Sequence, residues 1–250
     1  MRIFSFYLLF ISLLFQGCFE KNNNSFDCKN ISINTEIKVD SSIINFYLPY
    51  KSKLQDGLMN KPISYSLKTY KKNDGILNSS LGNMFADATY DLINPIFKDK
   101  TGNSIDLVLL NNGGIRSIIS QGPVSEKTAF ELMPFENSIV IVKLDGNSIK
   151  KMVDYLVKVR LPHPIKGLEI ILNKDYSVES VLLNNNPIDE NKNYFVATTD
   201  YLLDGGDKMY FLAESKETTI IDYKMRDVLI DYFIKTDTLK LKTDNRFIIN

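Results

Sequence analysis

Apolar residues recur along this chain with two different periods. Over residues 63–70 they alternate, with Ile63, Tyr65 and Leu67 on one face and Ser64, Ser66 and Lys68 on the other, which predicts a strand. Leu81, Met84, Phe85, Ala88 and Leu92 instead follow the spacing of a helix with one buried stripe, capped by Ser79 or Ser80 and ended or kinked by Pro95. Residues 41–60 read as helix in pieces, interrupted by Pro49. Residues 105–110, apolar but for Asp106, run into Asn111-Asn112-Gly113-Gly114, the pattern of a buried strand feeding a tight loop. Residues 138–144 predict another strand, after which Asp145-Gly146-Asn147-Ser148 turns into a helix with Ile149, Met152, Val153 and Leu156 on one face. Residues 168–172 and 178–183 predict a hairpin and 194–198 a further strand, and Met225, Val228, Leu229, Tyr232 and Phe233 mark a last helix. Strands and helices are interspersed without strict βαβ alternation, so the expected class is α+β.

The N-terminal residues are of another kind. Arg2 precedes an apolar run over residues 3–15, the pattern of an export signal and too short to span a bilayer comfortably. The run closes on Phe15-Gln16-Gly17-Cys18, which resembles the bacterial lipobox and implies a lipidated Cys18 at the mature N-terminus. Acyl chains would hold an otherwise soluble domain at a membrane surface. The expected organisation is a signal peptide over 1–17, a lipidated Cys18 with a polar tether over 18–40, and one domain over 41–250. The expected location is outside the cytoplasm, on the periplasmic or cell-surface side. Cys28 is the one other cysteine, so no disulfide framework is predicted.

Charge and histidine content narrow the chemistry. Thirty basic residues balance thirty acidic ones, which argues against a nucleic-acid partner held by phosphate neutralisation. A dimetal hydrolytic centre needs several nitrogen and oxygen ligands around two ions about 4 Å apart. The sequence holds a single histidine, His163, between Pro162 and Pro164, where a rigid surface loop is expected. No Gly-x-Ser-x-Gly elbow or P-loop is present. A self-sufficient hydrolase is therefore not expected, and no cofactor or catalytic residue is assigned to this chain.

Three polar and aromatic islands interrupt the apolar pattern. The first is Asn111-Asn112-Gly113-Gly114-Ile115-Arg116, whose glycines allow close backbone approach and whose guanidinium suits phosphate. The second is Met133-Pro134-Phe135-Glu136-Asn137, an aromatic residue at a strand entrance that fits either the core or a rim. The third is Thr199-Asp200-Tyr201-Leu202-Leu203-Asp204-Gly205-Gly206-Asp207, a second aromatic followed by a Gly-Gly turn and a carboxylate. Alone, the first and third also read as turns and the second as core packing.

In this order the islands resemble the C-terminal, substrate-binding domain of the 5′-nucleotidase and UDP-sugar hydrolase family, with Leu81-Gly82-Asn83-Met84 and the Leu144-Asp145-Gly146 turn as further points of likeness. The resemblance implies a mixed α/β sandwich and a nucleotide or nucleoside ligand. It implies that Phe135 and Tyr201 clamp the base, Asn111 bonds its edge, Asp207 holds the ribose hydroxyls and Arg116 reaches phosphate. Asn137 is placed in the same binding set, and Gly113, Gly114, Gly205 and Gly206 let the backbone close around the ligand. Many relatives carry a further arginine ahead of the Gly82-Asn83 position. Here Asp74-Gly75-Ile76-Leu77-Asn78-Ser79 stands there, leaving Lys71 or Lys72, which lack a bidentate fork. No counterpart of the family's metallophosphatase domain is recognised, so three readings stay open. One is half of a split 5′-nucleotidase whose divalent metal pair sits in a separate metallophosphatase chain. Another is a lipoprotein that binds nucleosides or nucleotides without hydrolysing them. The third is a structural lipoprotein that kept only the scaffold, against which the retention of both rings, Asn111, Arg116 and Asp207 speaks.

Overall fold

A computed structural model of the protein describes residues 29–56 and 60–250. The predicted export signal and Cys18 lie outside the described residues. The chain divides into two compact units, Met1–Tyr47 and Leu48–Asn250. Residues 29–40 are exposed and carry neither helix nor strand. Helix α1 (Ser41–Asp56) is one helix where the sequence predicts two pieces, with Pro49 inside it. A proline removes one N–H donor, but its fixed φ is compatible with helix, so the turns on either side can persist.

The second unit is an α+β domain. In chain order it contains β1 (Pro62–Ser66), α2 (Ser80–Thr101), β2 (Leu107–Leu109), β3 (Gly122–Ser125), α3 (Glu126–Leu132), β4 (Ser138–Asp145), α4 (Gly146–Val159) and β5 (Ile165–Lys166). There follow β6 (Leu168–Leu172), β7 (Val178–Leu183), β8 (Asn193–Thr199), α5 (Asp200–Leu203), β9 (Glu217–Lys224), α6 (Met225–Lys235), β10 (Thr238–Leu239) and β11 (Phe247–Ile249). Three sheets form, in the orders β10-β1-β3, β11-β6-β7 and β5-β2-β8-β4-β9. The five-stranded sheet is mixed: β2 runs parallel to β8, and β4 runs antiparallel to both β8 and β9.

The inner strands β2, β8 and β4 of that sheet are buried on both faces, which explains why they read as largely apolar. Val108, Ile139, Ile141 and Ala197 join one core with α2 and α6. Their neighbours Leu107, Leu109, Val140, Val142, Leu144 and Val196 join a second core with α4 and the β6–β7 hairpin.

Helix α2 starts as expected, with Ser79 Oγ accepting the Gly82 N–H at 3.0 Å. It does not end at Pro95. Ile93 and Phe97, fully buried on either side, anchor the helix across the proline. Burying two such side chains contributes about 1.5–3 kcal/mol each, enough to offset the roughly 3 kcal/mol cost of an interior proline. The helix stops at Gly102, in the left-handed region at φ 76°, whose N–H donates to the Lys98 carbonyl at 2.8 Å.

Strand β1 alternates as its sequence predicts, but its serines face inward. Ser64 and Ser66 are buried, while Tyr65 and Leu67 are 47% and 49% exposed. The inward hydroxyls are satisfied by carbonyl acceptors: Ser64 Oγ donates to Thr236 O at 2.5 Å and Ser66 Oγ to Lys68 O at 2.8 Å. A buried hydroxyl with a partner avoids the desolvation cost of an unmet donor.

Candidate functional site

Topology explains why three islands far apart in sequence meet. Strands β2 and β8 are parallel neighbours, so their C-terminal ends share one edge of the sheet; β4 is antiparallel to β8, so its N-terminal end lies there too. The Asn111 loop leaves β2, the Phe135 loop enters β4, and Tyr201 follows β8 with Ile139 paired to Thr199. Ligand sites commonly form outside the carboxyl ends of such strands.

At this edge lies a cavity of about 540 Å³ lined by Asn111, Gly113, Gly114, Arg116, Phe135, Glu136, Asn137, Tyr201 and Asp207. Phe135 and Tyr201 are 41% and 45% exposed, so both are rim rings rather than core residues. The Arg116 guanidinium lies over the Phe135 ring, 5.7 Å from its centroid, and Nη1 donates to Gly113 O at 3.3 Å. Asp207 is engaged through both carboxylate oxygens. Asn111 Nδ2 donates to Oδ2 at 2.7 Å and the Tyr201 hydroxyl donates to Oδ1 at 3.1 Å. The Asp207 backbone is left-handed, at φ 51°, and its carbonyl accepts the Tyr155 hydroxyl at 2.9 Å.

Gly205 and Gly206 do not line the cavity, contrary to the role expected of them. A Cβ on Gly206 would lie 2.4 Å from Tyr201 Cε1 and 2.5 Å from its carbonyl oxygen, so this glycine lets the turn fold against Tyr201. Gly205, at φ 89°, faces the Tyr210 ring. Both act on the position of an aromatic ring.

His163 is a correction. Its flanking prolines suggest a surface loop, yet it is 3% exposed. Its Nδ1 accepts the Asn112 N–H at 3.2 Å, tying the Asn111 loop to the Pro162-His163-Pro164 segment. Burial pulls its pKa down to about 4, against the opposing pull of Asp207, so the ring is neutral at pH 7 and able to accept. Lys72 is also engaged: Nζ donates to Ile115 O at 2.9 Å and Asn112 O at 3.4 Å, bracing the same loop. The described residues of this chain offer no group fitting a dimetal centre. Its one histidine is buried with Nδ1 bonded to backbone, and among the described residues no group of three or more His, Cys, Asp or Glu side chains converges.

Two residues of the islands carry more of the site than their sequence suggests. The Asp200 carboxylate accepts Tyr201 N–H at 2.7 Å and Asn137 Nδ2 at 3.1 Å through Oδ1, and Ser138 N–H at 3.1 Å through Oδ2. It thus ties the Phe135 loop to the Tyr201 helix; an acidic residue opening a short helix was the available signal. Glu136 lines the cavity, and its carboxyl is held below the usual range by hydrogen bonds from Arg226 and then Lys224.

A family model described as 5′-nucleotidase, C-terminal domain, matches residues 60–214. The chain belongs to this family. All nine cavity-lining residues of this 5′-nucleotidase C-terminal domain fall within the matched span. An apyrase of Aedes albopictus is 23% identical over 231 residues, covering 84% of this chain and 40% of the apyrase. Cell wall protein Lmo0130 of Listeria monocytogenes serovar 1/2a is 30% identical over 183 residues, 66% of this chain and 23% of that protein. The crystal structure of a 5′-nucleotidase precursor from Thermus thermophilus shares the fold, with a TM-score of 0.68 at 19% identity over 84% of this chain and 43% of its own. The chain thus spans less than half the length of each of these three.

Proposed function

We propose that this chain is the nucleotide- or nucleoside-binding half of a split 5′-nucleotidase, acting with a separate metallophosphatase chain that carries the divalent metal pair and performs hydrolysis. The observation that supports this is the convergence of Phe135, Tyr201, Asn111, Arg116 and Asp207 on one cavity at the sheet edge. In this reading the two rings hold the base, and the Asp207 carboxylate, preset by Asn111 and Tyr201, receives the ribose hydroxyls. Asn111 and Asn137 each give one amide N–H to a carboxylate, which orients the carboxamide and keeps its carbonyl oxygen and second N–H for a base edge. In this reading Arg116, a cation lining the cavity, reaches the phosphate. Cys18 is proposed as the lipid anchor of an exported protein, in keeping with a cell wall protein among its relatives. Mixing the two chains should release phosphate from AMP faster than the metallophosphatase alone; equal rates would rule out the split enzyme.

A second reading is a lipoprotein that captures nucleosides or nucleotides without hydrolysis. It is favoured by the cavity being lined from this chain alone. Titration calorimetry with adenosine and AMP, repeated on Phe135→Ala with Tyr201→Ala, tests the binding common to both readings. Heat lost in the double variant supports it, and no heat with the unmodified protein removes it.

A further inference from the structure

We infer that the surface around the β10-β1-β3 sheet docks on an anionic lipid layer, laying the domain against the membrane to which Cys18 is proposed above to anchor it. The inference deepens that anchoring reading and stands on an uneven distribution of charge.

The chain as a whole is neutral, with thirty basic and thirty acidic residues. Residues 61–72, 115–125 and 238–242 nevertheless carry six lysines, one arginine and not one acidic side chain. These segments are neighbours in the fold. Tyr65 pairs with Pro123 on one side and Thr238 on the other, and Tyr70 pairs with Ile119. The Tyr70 hydroxyl also bonds Leu239 O and Leu241 N–H, each at 3.1 Å. The rest of the chain is therefore acidic in balance, and a neutral molecule so divided turns its basic side towards an anionic surface.

Lys72 and Arg116 serve the Asn111 loop and the cavity. The other five cations, Lys61, Lys68, Lys71, Lys240 and Lys242, are exposed, and among the described residues none of them forms a salt bridge. The flanking acids have partners of their own: Asp74 accepts Ser80 N–H at 2.8 Å, and Asp244, near Lys242, is paired with Arg246 at 2.6 Å. Because the serines of β1 turn inward, Tyr65 and Leu67 stand outside with the lysines. Tyrosine favours the headgroup level of a bilayer, and lysine lays its apolar stem there with the ammonium in water. All five cations are lysines. Protein interfaces are depleted in lysine and enriched in arginine, whose fork matches carboxylates. A fluid headgroup layer asks only for point charges, so lipid is favoured over an acidic protein.

Lysine acetylation of the full chain, read by mass spectrometry on vesicles of phosphatidylcholine alone or mixed with phosphatidylglycerol, tests this. Lys68, Lys71, Lys240 and Lys242 should react at least about threefold more slowly on the mixed vesicles, since each lysine near an anionic leaflet raises attachment about fivefold. Lys174, in the turn between β6 and β7, is the reference and should not change. High sodium chloride should abolish the difference. Equal rates on the two vesicles, or a slowing shared by Lys174, overturn the inference. Stronger protection by soluble polyglutamate than by mixed vesicles would overturn it in favour of an acidic protein. Lys240→Gln with Lys242→Gln should return Lys68 and Lys71 towards their rates on phosphatidylcholine, and no change would dismiss a shared face. Acylation of Cys18 is read separately from the mass of the N-terminal peptide, so a missing anchor and an undocked face are told apart.

Discussion

The Tyr201 hydroxyl donates to Asp207 Oδ1 at 3.1 Å, so one wall of the cavity is an aromatic ring latched by its edge to a carboxylate. The latch leaves the ring's faces to whatever enters. Tyr201→Phe keeps the ring and loses a hydrogen bond worth about 0.5–1.5 kcal/mol net, so adenosine affinity should fall severalfold. Tyr201→Ala also removes the stacking face, worth about 1–3 kcal/mol, and should lose more. Calorimetry that ranks Phe as low as Ala would place the importance of the residue in its hydroxyl alone.

Asp207 carries the expected contact to a ribose diol. Asp207→Ala should therefore weaken adenosine more than 2′,3′-dideoxyadenosine, bringing the two dissociation constants together. A hydrogen bond to a charged group is worth about 1.5–3 kcal/mol, so the preference at stake is of order tenfold or more. Equal losses for both ligands would assign Asp207 to holding Asn111 and Tyr201 only.

Asp200 accepts three N–H donors, one from its helix neighbour Tyr201 and two from Asn137 and Ser138 at the entrance to β4. Asp200→Ala leaves those donors to solvent or unmet, at about 1–3 kcal/mol, and each kcal/mol should lower the melting temperature by about 2–4 °C in a domain of this size. Adenosine binding should weaken as well, because the two rings lose their common tie. A variant that melts lower but binds normally would confine Asp200 to a structural role.

His163 links acidity to stability. Its native pKa of about 4 lies below the ordinary 6.5, so between those values the unfolded chain binds the proton and the folded chain resists it. Its contribution is fully present above pH 6.5, falls as pH drops towards 4, and changes no further below that. The whole contribution is on the order of 3 kcal/mol. Urea titrations across this window should show the decline, and His163→Asn should flatten it; a parallel decline in the variant would exclude His163 as its source.

The parts of this molecule that can be read in its sequence are those where local pattern and tertiary burial agree. Residues 107–110 and 139–142 are unbroken apolar runs because β2 and β4 are buried on both faces. The three polar islands line one cavity because two strand ends and one strand start share a sheet edge. Where pattern and burial part company, the sequence misleads. The serines of β1 turn inward because carbonyls are there to receive them, and no periodicity encodes that. His163 is buried by a loop that packs under Asn112, a contact fifty-one positions away in the chain. Strand β9 escapes the apolar pattern because it is an edge strand with Ile221 as its only buried residue. The sequence shows Asp200 only as an acidic residue opening a short helix; its two bonds to Asn137 and Ser138 come from a segment that meets it only in the fold.

Strands β9, β10 and β11 each form the outer strand of a different sheet. No sheet in the second unit can therefore be completed until residues 217–249 have been synthesised, and the segment matched by the family model stops before all three strands. During translation the earlier strands must wait with open edges, which are templates for mispairing with other chains. Residues 217–249 are thus what covers the edges of β4, β1 and β6.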